Sequence, residues 1–138
     1  MAELADTSAW TASARDPDLR HSFDESLAAG EIATCGAVMF ELLHGARNAQ
    51  EFSAIRTSLE LLPGCPLGNR EWHRALDVYE TLAHQGGLHH RRVKHLDLLT
   101  AAAAESAGVP VVHYDADFDV IAAITGQPTR WIAPRGSL

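Results

Sequence analysis

A chain of 138 residues, 46% apolar and 21% charged, is the size of one domain with one core and is too apolar for a disordered segment. Its 18 acidic and 11 basic residues leave a net charge of −7, which excludes nucleic-acid binding by overall positive charge alone. No run approaches the roughly 18–20 apolar residues of a membrane span, the N-terminus lacks a leader pattern, and Cys35 and Cys65 make neither a disulfide framework nor a CxxC motif. These features predict a cytoplasmic protein with no membrane contact, in which both thiols stay reduced.

The predicted elements alternate between strand and helix. Glu3 to Ala5 forms a short first strand, and Thr7 or Ser8 caps the helix that follows. A helix over Asp18 to Ala29 closes at Gly30, and Glu31 to Thr34 is a second strand. Ala37 to Ala46 is a helix with Val38, Met39, Leu42 and Leu43 on its apolar side. Another runs from Ala49 to Leu61 and stops at Pro63-Gly64.

Asn69 caps the next helix, where Trp72, Ala75, Leu76, Tyr79, Leu82 and Ala83 recur at helical spacing until Gln85-Gly86-Gly87. Leu88 to Lys94 is a basic, histidine-rich loop. Leu96 to Ser106 is an alanine-rich helix ended by Gly108, and Val109 to His113 is the clearest buried strand. A helix over Ala116 to Thr125, a short strand over Thr129 to Ile132 and a polar tail over residues 133–138 complete a single domain spanning 1–138. Strand–helix alternation predicts an α/β fold, a central parallel sheet flanked by helices on both faces.

In such sheets ligands bind beyond the carboxyl ends of the strands. Asp6 directly follows the first strand, and Asp115 follows the Val109–His113 strand. Asp97 and Asp117 fall in the first turns of their helices, where negative charge is tolerated. Glu41 shares a helical face with Val38, Leu42 and Gly45 and points partly inward, where a carboxylate is costly unless neutralised. A divalent cation shared with Asp6, Asp97 and Asp115 would neutralise it. Magnesium and manganese prefer such oxygen ligands and can lower the pKa of a water while stabilising charge on a phosphate oxygen. No local serine–histidine or cysteine–histidine pair and no phosphate-cradling glycine loop competes with this reading. Taken singly, Asp6, Asp97, Asp115 and Asp117 are equally compatible with capping and turn roles. Their convergence on one rim is the argument for a site.

The ordered segments Asp6-Thr7-Ser8-Ala9-Trp10, Glu41-Leu42-Leu43-His44-Gly45-Ala46, Asp97-Leu98-Leu99-Thr100-Ala101-Ala102-Ala103-Ala104 and Val111-Val112-His113-Tyr114-Asp115-Ala116-Asp117-Phe118 span nearly the whole chain, before the tail Trp131-Ile132-Ala133-Pro134-Arg135-Gly136-Ser137-Leu138. Together they resemble the PIN-domain nucleases, specifically the VapC toxins. The resemblance implies a PIN fold and Mg2+- or Mn2+-dependent cleavage of RNA. It matches Asp6, Glu41, Asp97 and Asp115 to the metal-site acids, Asp117 to a frequent fifth acid and Ser8 to a hydroxyl beside the site. It also implies a cognate VapB-like antitoxin that covers the site, and commonly a toxin homodimer. The first strand, Ala2-Glu3-Leu4-Ala5, is less apolar than is usual for the family, which leaves its packing open.

Other signals carry less. His84, His89, His90 and His95 match no common zinc spacing, and a surface loop with Arg91, Arg92 and Lys94 is the preferred reading, its functional version being contact with RNA backbone near the acidic site. Asp115-Ala116-Asp117-Phe118-Asp119 begins like a calcium loop, but Val120 and Gly126 stand where that loop needs glycine and glutamate. Trp72 and Tyr79 read as core or dimer-face anchors. Two alternatives remain open from the residues alone: a catalytically inactive interaction module on the same fold, and a receiver-like phospho-acceptor domain.

Overall fold

The computed structural model describes residues 2–138. Its strands β1 (Glu3–Ala5), β2 (Ile32–Ala33), β3 (Val111–His113) and β4 (Thr129–Trp131) form one parallel sheet in the order β2-β1-β3-β4. The register pairs Leu4 with Ala33 and Val111, and His113 with Trp131. The chain leaves β1 outward to β2 and returns to β3 on the other side of β1. The strand order therefore reverses between β1 and β3, the place where a parallel sheet opens a crevice at its carboxyl edge.

Alternation along the strands builds the two faces. Leu4, Ala33 and Val111 enter the larger core, with α3 (Gly36–His44), α5 (Asn69–His84), α6 (His95–Ala107) and α7 (Asp117–Thr125). Ala5, Ile32 and Val112 face the other way, against Ala9 of α1 (Thr7–Ser13) and Phe23 of α2 (Pro17–Ala28). Helices thus cover both faces, as the alternation of elements predicts. The first strand packs fully despite its weak apolarity: Leu4 and Ala5 are buried, while Glu3 forms a two-point ion pair with Arg130 at 2.8 and 3.0 Å.

Several local expectations are corrected. The cap of α1 is Asp6 rather than Thr7 or Ser8, with Asp6 Oδ2 accepting from the Ser8 N–H at 2.9 Å. Gly68, not Asn69, stands at the N-cap of α5, and its N–H donates to Glu71 Oε1 at 3.0 Å. The strands are shorter than expected, since Thr34 makes only an isolated bridge with Gly64. On α5, Ala75, Val78 and Leu82 are buried, whereas Trp72, Leu76 and Ala83 are exposed. Trp72 is therefore not a core residue of this chain. Between α5 and α6 the basic loop contains a single 3-10 turn over His89–Arg91, and α4 (Ala49–Glu60) packs beside α3. Among the described residues no helix is long and apolar enough to cross a membrane.

Candidate metal centre

Five acids reach the crevice from four directions. Asp6 comes directly off β1. Asp115 lies just beyond β3, and Asp117 opens the helix after it. Asp97 sits in the first turn of α6, whose N-terminus lies at the same edge because α6 runs back to start β3. Glu41 projects from the second turn of α3, the helix that follows β2. Oxygens of Asp6, Glu41 and Asp97 fall within 4.8 Å of one another, and so do oxygens of Asp97, Asp115 and Asp117. Asp97 belongs to both groups and links them.

Short contacts hold the acids in place. Thr7 Oγ1 donates to Glu41 Oε1 at 3.2 Å, fastening α3 to α1. Ser8 Oγ accepts from the Tyr114 N–H at 2.8 Å. The Asp115 N–H donates to His113 Nδ1 at 3.1 Å, and Asp115 Oδ1 in turn accepts from the Asp117 N–H at 2.9 Å. Asp119 faces elsewhere and takes the Trp131 indole N–H at 3.2 Å. Lys94 is the unexpected member. Its ammonium lies 2.5 Å from Asp115 Oδ2, 3.2 Å from Asp117 Oδ2 and 3.5 Å from Asp97 Oδ2, while Arg91 and Arg92 remain exposed.

Burial and mutual repulsion set the protonation pattern. Burial raises the pKa of Asp6, although hydrogen bonds from Ser8 and Thr7 oppose the rise. Burial, then the charge of Asp6, raises Glu41. Burial and Asp6 push Asp97 up to about 8, with Lys94 pulling the other way. Burial acts most strongly on Asp115 and would raise it, but the hydrogen bond and charge of Lys94 together with the Asp117 N–H outweigh burial and leave its pKa below the ordinary value. Lys94 is correspondingly raised, because these carboxylates outweigh its own loss of water.

Two oxygens test whether the residues suit a cation. Asp6 and Asp97 are each only 2% exposed; Asp6 Oδ1 and Asp97 Oδ2 are buried and accept no hydrogen bond, Asp97 Oδ2 having only the Lys94 ammonium at 3.5 Å. A buried carboxylate oxygen that accepts no hydrogen bond is costly. An all-oxygen donor set with such oxygens directed inward fits a hard divalent ion.

Asp6, Glu41, Asp97, Asp115, Asp117 and Ser8 are thus brought together as the sequence predicts. Arg91 and Arg92 are exposed on the turn that precedes Lys94. Thr7 and His113 are neighbours of the acids that the sequence does not predict, and Lys94, expected near the acids as an RNA contact, instead pairs with three of them. For Thr7 and His113 the only available signal is nearness in sequence, one residue from Asp6 and two from Asp115.

The PIN domain family model matches residues 4–124, a span that contains all five acids. The chain belongs to the PIN-domain family. Within it, the chain is 46% identical to ribonuclease VapC18 of Mycobacterium tuberculosis, over the full length of both. It is 37% identical to ribonuclease VapC21 of the same organism, over 88% of this chain and 87% of that one. A DNA-bound VapBC structure from Salmonella typhimurium matches with a TM-score of 0.71 at 18% identity, covering 96% of this chain and all of its counterpart, and shares the fold. The family assignment removes the receiver-like alternative.

Proposed function

We propose that this protein is a metal-dependent endoribonuclease, the toxin of a type II toxin–antitoxin pair. The observation that carries the reading is the pair of buried oxygens that accept no hydrogen bond, Asp6 Oδ1 and Asp97 Oδ2, within the acids at the carboxyl edge. RNA as substrate is supported by the relatives at 46% and 37% identity, which are named ribonucleases. A VapB-like antitoxin is supported by the VapBC neighbours that share the fold.

Asp6, Glu41, Asp97 and Asp115 would hold Mg2+ or Mn2+, with Asp117 adding an oxygen. The ion, when bound, supplies Lewis-acid stabilisation of phosphate charge and lowers the pKa of a water for phosphodiester hydrolysis. The chain's own contribution is positional. Asp6 and Asp97 are fixed by burial, Thr7 aims Glu41, and Ser8 braces the Tyr114 amide one residue before Asp115. Arg91 and Arg92, exposed on the turn that leads into Lys94, suit contact with RNA phosphates.

Exposed Phe40, Phe52, Trp72 and Leu76 give α3, α4 and α5 apolar surface for a protein partner, an antitoxin or a second copy in a homodimer. Residues 1–138 act as one nuclease domain, in the cytoplasm, where the free buried Cys35 and Cys65 remain reduced. The test is cleavage of a structured RNA with manganese or with chelator. Wild type should cut only with metal, and Asp6→Asn and Asp97→Asn should not cut. Cleavage that survives chelation, or survives in both variants, would remove the proposal.

A further inference from the structure

We propose that Lys94 is a tethered cation that a divalent metal must displace to enter the carboxylate cluster, so that this residue sets how tightly the site takes metal. The inference deepens the metal-site reading above and rests on it.

Lys94 is the only lysine in the chain. Its ammonium contacts Asp97, Asp115 and Asp117, the same three residues whose oxygens lie close enough together to share one ion. Lysine and metal therefore claim one space. Asp97 also belongs to the neighbouring group with Asp6 and Glu41, so an ion in either place meets the ammonium's field. At separations of a few ångströms and partial burial, like charges repel strongly enough to decide occupancy.

The tether is well defined. The Lys94 N–H donates to Asp117 Oδ2 at 3.2 Å, and the Lys94 carbonyl accepts from the Asp97 and Leu98 amides at 3.2 and 3.3 Å. The main chain of residue 94 is thus held by contacts that do not involve the ammonium. The side chain itself is 61% exposed, so the ammonium can swing into water while its backbone stays in place. The cluster then has an internal counter-ion when metal is absent and yields to one when metal is present.

A purely structural latch predicts the opposite sign. If the lysine only orders the first turns of α6 and α7, removing it loosens the acids and weakens metal binding. If it competes with metal, removing it tightens binding.

The experiment is titration of the full chain with Mn2+, read by calorimetry or by the paramagnetic signal of free manganese. K94M keeps most of the aliphatic stem and loses the charge. It should bind Mn2+ at least about tenfold more tightly than wild type, equivalent to about 1.4 kcal/mol. K94R keeps the charge and should stay within a few-fold of wild type. Should K94M fold only with metal, loading it with manganese and withdrawing the ion with a competing chelator measures the same ratio. Wild type that binds manganese while K94M binds it equally or less tightly overturns this proposal alone. Failure of wild type and K94M alike to bind manganese overturns the metal site, and this proposal with it.

Discussion

The backbone N–H of Tyr114 donates to Ser8 Oγ at 2.8 Å, joining the end of β3 to the first turn of α1 across 106 positions of chain. Ser8 also gives its own N–H to Asp6 Oδ2, so one residue braces both strands at the point where the sheet order reverses. Ser8→Ala deprives a part-buried amide of its acceptor and should cost about 1 kcal/mol of stability in urea denaturation. Manganese affinity should fall a few-fold, and Ser8→Thr, which keeps the oxygen, should retain most of both. A Ser8→Ala protein equal to wild type in stability and metal affinity would show that the brace is dispensable.

Asp115 and Asp119 lie four residues apart but serve different surroundings. Asp115 is in the cluster with Lys94, while Asp119 is exposed and bonded to Trp131. Asp115→Ala should therefore reduce RNA cleavage and growth arrest to background, and Asp119→Ala should leave both near wild type. Equal losses would mean that the α7 face carrying Asp119 also meets substrate.

Asp97 makes stability depend on pH in a direction opposite to most carboxylates. Its folded pKa of about 8 stands above the ordinary 3.8, so between these values the native state keeps a proton that the unfolded state has lost. Stability from this group declines as pH rises through that window. His113, whose pKa burial lowers from 6.5, acts oppositely on the acidic side. The comparison is therefore with Asp97→Asn, which keeps His113 unchanged. In chelator, the two proteins should converge only below about pH 4, where the unfolded acid is protonated too; Asp97→Asn should gain on wild type as pH rises from there and be several degrees more stable near about pH 9. Manganese should reverse that order, because only the charged acid gains from the ion. A constant difference across pH would mean that Asp97 is not the group titrating.

Much of this was legible in the sequence because the signals were redundant. The Val109–His113 run, the glycine that closes α6 and the alternation of apolar segments all pointed to one architecture. The acids followed from it, since a residue just after a parallel strand must lie at the sheet's edge. What was hidden depended on contacts between segments. Asp6, Thr7 and Ser8 are all good cap residues, and only the backbone path out of β1 selects Asp6. Helical spacing on α5 includes Trp72 and Leu76, but periodicity marks an apolar stripe without telling where the neighbouring elements stop covering it. Lys94 read as part of a solvated basic loop because the carboxylates it meets at positions 115 and 117 lie far along the chain.

Arg91 and Arg92 are left as the exposed basic pair of the loop, since Lys94 is engaged by the acids. Replacing both arginines with alanine should weaken RNA binding and flatten the slope of log affinity against log salt by about 1 to 1.5, the release expected for two phosphates on a single strand. Manganese affinity should be unaltered. An unchanged salt slope would mean that RNA approaches by another path.

A partner that inhibits this protein most economically brings a cation of its own. The cluster already accepts an ammonium between Asp97, Asp115 and Asp117, which shows that a side-chain cation fits among these acids. A guanidinium pairs with carboxylates through two parallel hydrogen bonds and does so more tightly than an ammonium. An arginine from a VapB-like antitoxin would thus exclude metal and bind firmly without any change in the toxin's fold. Three consequences separate this from simple coverage of the surface. The purified antitoxin should lose affinity as manganese rises. Glu41→Gln and Asp97→Asn should each weaken the complex by about tenfold, or about 1.4 kcal/mol. Replacing the antitoxin's arginine with methionine should abolish the manganese dependence while leaving residual binding through the apolar faces of α3, α4 and α5. An antitoxin that binds wild type, Glu41→Gln and Asp97→Asn equally, and is indifferent to metal, inhibits by blocking the RNA path instead.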